Sequence, residues 1–180
     1  KNINFILRYS AVRQFNNDFI MIIMFREPLS HSASLFEKHK EYKKIQSEDP
    51  FVLEYMNWLG HHEFGLNQKN FKFRDMEYNN PYEKSNINYW LKNWIYFYSY
   101  ILNLEHQNTI LINYDWYCKE PKSVIKTILD KSYIVADIPD YKSFVNNRRI
   151  EMDYNSDLYN KAKNIYLQLI EKSEQVDLNS

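Results

Sequence analysis

Apolar residues along this chain fall into two kinds of pattern. Phe19–Phe25 (FIMIIMF) is an unbroken apolar run, and Thr109–Asn113 (TILIN) is a shorter one. An unbroken run is what a parallel strand covered on both faces looks like. Its length, its isoleucines and the Pro28 that soon follows favour a strand over a buried helix segment. Elsewhere apolar residues recur at helical spacing. A helix is predicted from Leu29 to about Gln46, with Pro28 in its first turn, where a missing N–H costs nothing. Asp49-Pro50 reads as a cap and first residue, followed by Phe51, Tyr55 and Leu59, with Gly60 as the stop. A long helix runs from Ser85 to about Glu105, and its stripe of Trp90, Trp94, Phe97, Ile101 and Leu104 reads as core. Pro121 opens a helix with Val124, Ile125, Ile128 and Leu129 inward. Asn155 or Ser156 caps a last one with Leu158, Ala162, Ile165 and Leu169. Leu66–Glu83 and Tyr133–Asp153 have no clear period and read as irregular. Lys1–Asp18 fits either a short strand or a helix.

Two strands among dominant helices make an α/β chain with a small parallel sheet. Its 180 residues suit one domain over 1–180. Charge narrows the partners: 23 basic and 23 acidic residues give no electrostatic reason to expect nucleic acid. No run is long enough for a membrane span, and no signal peptide is visible. Cys118 is the sole cysteine, which rules out an intrachain disulfide and fits a reducing, cytoplasmic setting. Lys1 is not an initiator methionine, so a fragment or a processed form is expected. The aromatic share of 17% supplies buried area whatever the function.

The candidate chemistry starts at Arg26, which stands directly after the first strand, with a helix beginning two residues later. Ligands of open parallel sheets bind beyond the carboxyl ends of the strands. A guanidinium there, beside free helix N–H groups, suits an anion. Other motifs give less. GHHEFGLN has the glycine spacing of a phosphate loop, but Leu66-Asn67 stands where Lys-Ser/Thr is required, which argues against an ATP phosphotransferase. His61-His62-Glu63 lacks a second ligand pair at metal-binding spacing, so no metal site is expected.

Four stretches carry a resemblance. Arg26-Glu27-Pro28 with Ser34, an R-[DE]-P…S pattern, resembles the 3′-phosphate-binding motif of sulfotransferases that use PAPS (3′-phosphoadenosine 5′-phosphosulfate). Asp49–Leu66 (DPFVLEYMNWLGHHEFGL) resembles a segment of bacterial members. Tyr89–Trp94 (YWLKNW) is similar to their aromatic helix, and Asn113–Pro121 (NYDWYCKEP) to their strand-end element. The resemblance spans most of Phe19 to about Tyr133. It implies a P-loop-NTPase-like sulfotransferase fold and transfer of a sulfuryl group from PAPS, leaving PAP, to a hydroxyl or amine of a small-molecule or carbohydrate acceptor. It implies Arg26 and Ser34 on the 3′-phosphate and Tyr114 beside the adenine, with acceptor specificity in the Leu66–Glu83 stretch. Arg148 or Arg149 would match a late basic loop of cytosolic members.

The chain also departs from the family. A glycine-containing 5′-phosphosulfate loop is expected near the start, and Gly60 and Gly65 are the only glycines. Residues 1–18 contain no His or Glu to activate an acceptor. The N-terminal part of the family fold is therefore expected to be missing, and no catalytic residue is assigned. The alternative expectation is a catalytically degenerate binding module.

Overall fold

The computed structural model describes residues 3–104, 108–144 and 150–175. Contacts divide the chain into two compact units. The first comprises residues 1–27, 102–149 and 164–180, and the second residues 28–101 and 150–163. The protein is α/β and mostly helical, with one two-stranded parallel sheet among the described residues.

In the first unit the ambiguous N-terminal stretch is helical: a 3-10 turn at Ile3–Arg8, then α1, Tyr9–Phe15. The two apolar runs form β1, Met21–Phe25, and β2, Thr109–Asn113, parallel and in register from Met21 opposite Thr109 to Phe25 opposite Asn113. Ile110 and Ile112, two apart and so on one face, pack with Val124, Tyr117 and Ile128. These neighbours come from α5, Tyr114–Lys119, and α6, Pro121–Lys131. The expectation that β1 is covered on both faces is corrected: Ile22 and Met24 are 48% and 45% exposed, while Met21, Ile23 and Phe25 are buried. Seven apolar residues hid an ordinary alternation, in which one face of β1 is packed and the other is open.

The amino ends of the strands are tied by Arg13. Its guanidinium donates to the carbonyls of Asn17 at 3.0 Å, Phe19 at 2.6 Å and Asn108 at 2.9 Å. It also lies 3.8 Å from the centre of the Phe19 ring. Met21 N–H donates to Asn108 O at 3.0 Å, so the turn into β2 and the approach to β1 share one set of contacts.

The second unit contains α2, Pro28–Glu48; α3, Pro50–Trp58; and most of α4, Ile87–Asn103. Asp49 accepts the N–H of Phe51 at 3.0 Å, the expected cap. Gly60 ends α3 with φ +69°. Its N–H reaches Asn57 O and that of His61 reaches Met56 O, the paired bonds of a Schellman stop. Leu29, Ala33 and Ile87 form a core packed by Phe36, Ile150, Met152, Tyr154 and Tyr159. Trp90, Trp94 and Ile101 of the long stripe are buried, as core.

The aperiodic Leu66–Glu83 stretch is held on α4 by polar side chains. Asn70 donates to Tyr89 Oη at 2.7 Å and also bonds Tyr78. Tyr78 donates to Asn93 at 2.8 Å, Asn80 to Tyr89 O at 2.9 Å, and Phe73 N–H to Tyr96 Oη at 3.0 Å. Burial of Tyr78 pushes its hydroxyl up to about 12. Preceding this stretch, Gly65 at φ +84° lies against α2. Its N–H donates to His39 Nδ1 at 3.2 Å, and that of Leu66 to Gln46 Oε1 at 2.7 Å.

In the last helix, α7, Ser156–Gln175, Asn155 Oδ1 accepts the N–H of Leu158, and Ala162, Ile165 and Leu169 are buried. Residues 133–144 and 150–153 are irregular, as expected.

Candidate site at the carboxyl ends of the strands

The register of the sheet builds the site. With Phe25 opposite Asn113, the next residues, Arg26 and Tyr114, leave neighbouring parallel strands side by side. The guanidinium carbon of Arg26 lies 5.3 Å from the centre of the Tyr114 ring, within cation–π range. The Arg26 side chain is 17% exposed. Asn113 makes the turn: its side-chain oxygen accepts the N–H groups of Asp115 at 2.9 Å and Trp116 at 3.3 Å, starting α5 as β2 ends. Arg26 and Tyr114 are thus neighbours within the first unit.

Asp115 is the hub that sequence reasoning did not assign. Its Oδ2 accepts the backbone N–H of Glu27 at 2.9 Å and the hydroxyl of Tyr166 at 3.0 Å. Its Oδ1 lies 3.9 Å from Arg26 Nε, an ion pair longer than a hydrogen bond. Tyr166 stands edge-on to Phe25, with ring centres 5.8 Å apart, and bonds Asn113 at 3.3 Å. Burial, then the Asp115 charge, pushes the Tyr166 hydroxyl up to about 12, so it donates at neutral pH. A signal for Tyr166 existed, because it lies four residues after Ala162 and three before Leu169, on the apolar face of α7. The Tyr114 hydroxyl is also raised, chiefly by its hydrogen bond to Cys118 and next by burial.

Chemically this is a half-buried cation beside an aromatic face, with one carboxylate set against it. It suits an anionic ligand that carries a flat ring.

Ser34 falls in the second unit, where its hydroxyl donates to Ser30 O at 2.9 Å along α2. Its pairing with Arg26 stays an expectation of the sequence. Arg148 and Arg149 lie outside the described residues. His61 Nδ1 lies 3.4 Å from Glu63 Oε1, and among the described residues no cluster of His, Cys, Asp and Glu could hold a metal ion. No described helix is long and apolar enough to cross a membrane. An open cleft of about 240 Å³ in the second unit is lined by Met76, Glu77, Lys92, Tyr96 and Lys161 among others, and by none of Arg26, Ser34 or Tyr114.

In comparisons with known proteins no family model matches the chain, and neither a curated protein nor a solved structure matches it.

Proposed function

We propose that the chain binds a 3′-phosphorylated adenine nucleotide at the carboxyl ends of its strands, as the donor end of a PAPS-dependent sulfotransferase. One observation carries the reading. The in-register parallel pair sets Arg26 level with Tyr114, cation beside ring, where ligands of open parallel sheets bind. Arg26 takes the 3′-phosphate, with Ser34 as its partner by resemblance, and Tyr114 lies along the base. The donor set fits such a nucleotide, and PAPS supplies the sulfuryl group when bound. Arg26 and Tyr114 fix the nucleotide's position and offset its charge, which is the protein's main share in such transfers. The P-loop-like family fold is part of the same proposal.

A second reading is a catalytically degenerate module that binds without transfer.

Calorimetric titration with PAP tests the site. The wild-type chain is expected to bind, and Arg26→Ala to bind at least about tenfold more weakly, since a truncated buried charge partner costs roughly 2–5 kcal/mol. Arg26→Lys should fall between, because an ammonium lacks the fork. Equal affinity in folded wild-type and Ala proteins, or no heat at millimolar PAP, refutes the site. PAP binding without sulfuryl transfer to any acceptor selects the second reading.

A further inference from the structure

The helix α3 has a face that the fold does not use. None of its nine residues is buried, although Phe51, Val52, Leu53, Tyr55, Met56 and Trp58 are apolar. A helix this short is not stable alone in water and needs packing. Its half-buried side, Val52, Leu53 and Met56, supplies that packing, with its caps and two polar contacts: Asn67 Nδ2 donates to Asn57 Oδ1 at 3.2 Å, and Gln46 Nε2 to Met56 Sδ at 3.1 Å.

Phe51, Tyr55 and Trp58, at i, i+4 and i+7, share one face and are 59%, 48% and 67% exposed. The rings form one group: Phe51 and Tyr55 stack with centres 5.8 Å apart, and Trp58 stands edge-on to Phe51 at 6.4 Å. Glu54 falls on the same face, three residues after Phe51 and four before Trp58.

Charge says what fits there. From Ile45 to Gln68 there is no Lys or Arg; Glu48 pairs with Lys44 and Asp49 caps the helix, so Glu54 is the carboxylate on the face itself, in a chain whose charges balance overall. An exposed aromatic group with a carboxylate on its own face attracts cations twice, through the ring faces and through Glu54. Guanidinium serves better than ammonium, because it stacks flat on a ring and sheds water more readily.

We propose that this face docks a basic peptide segment of a partner protein. Arginines of that segment stack on Phe51, Tyr55 and Trp58 and pair with Glu54, and its apolar side chains cover the rest of the rings. An anionic membrane is disfavoured by Glu54, which stands on the face itself.

The test uses a fluorescein-labelled peptide of alternating arginine and leucine, with lysine and glutamate versions, followed by anisotropy. The arginine peptide is expected to bind, the lysine peptide several-fold more weakly and the glutamate peptide not at all. Glu54→Lys and Trp58→Ala should each weaken the arginine peptide about tenfold, and both should fold, since these side chains are exposed. Asp137→Lys, an equal charge change outside the face, should leave binding unaltered. Equal loss in Asp137→Lys and Glu54→Lys would mean diffuse attraction and overturn the proposal. So would arginine and lysine peptides of equal affinity. Sedimentation that rises with concentration and reverts in Trp58→Ala would assign the face to a second copy. Salt-independent co-sedimentation with phosphatidylcholine vesicles would assign it to lipid.

Discussion

The two glycines give a test in which one kind of substitution should have two unequal costs. Both have positive φ, +69° at Gly60 and +84° at Gly65. An alanine at either pays the left-handed strain, about 1–2 kcal/mol. At Gly60 nothing lies within 4 Å of the new Cβ, so the cost stops there. At Gly65 the Cβ would sit 2.1 Å from Gln46 Oε1. Gln46 is 3% exposed and cannot swing into solvent without giving up the Leu66 N–H that it accepts at 2.7 Å. Leaving that donor and the amide unsatisfied adds about 1–3 kcal/mol. Gly60→Ala should therefore cost about 1–2 kcal/mol, and Gly65→Ala about 2–5. Urea unfolding followed by circular dichroism measures both. The mechanism is isolated by repeating Gly65→Ala in a Gln46→Ala background. With the amide gone, its cost should fall to that of Gly60→Ala, a coupling of about 1–3 kcal/mol. Equal costs at the two glycines, or an additive cycle, would refute the steric account of the clamp.

His39 is held neutral, its pKa lowered to about 4 by burial first and then by Lys43 and Lys84. The unfolded chain takes up this proton at higher pH than the folded one. The His39 contribution is thus complete above about pH 6.5 and is lost as pH falls toward 4, roughly 3 kcal/mol in all, and His39→Gln should flatten that limb of a stability–pH curve. Arg13→Ala should lower the urea midpoint by about 2–4 kcal/mol of stability, since three carbonyls and the Phe19 ring lose one partner, and Arg13→Lys should recover less than half. Asp115→Asn should tighten PAP binding about three- to tenfold, because a carboxylate 3.9 Å from Arg26 opposes an incoming dianion; weaker binding would mean that Asp115 serves the ligand by orienting Arg26.

The elements were legible wherever a local signal dominates. Asp49-Pro50, Gly60, Pro121 and Asn155 mark helix ends by backbone chemistry that acts within four residues. The α4 stripe is legible because buried aromatics repeat at the helical period. The first stretch was not, since Ile3, Phe5 and Leu7 alternate while Ile6, Val12 and Phe15 step helically, and only the contacts of Tyr9 and Arg13 decide. Nor was the pinning of Gly65 by His39 and Gln46. Those side chains stand 26 and 20 residues from their partners, on a helix face that reads as polar and is nonetheless buried.

The candidate site divides the same way, and the division has a physical cause. Arg26 and Tyr114 each follow directly on an apolar run, so strand ends mark them, and a parallel register of five pairs is all that is needed to bring them level. Asp115 is adjacent to Tyr114 and was still unassigned, because its role depends on what faces it. Its partners are a backbone N–H 88 residues away and a tyrosine from the last helix. A carboxylate that accepts two neutral donors and stands near one cation spreads its charge over all three. That arrangement fixes the carboxylate from two sides and leaves its other oxygen 3.9 Å from Arg26 Nε, farther than a hydrogen bond.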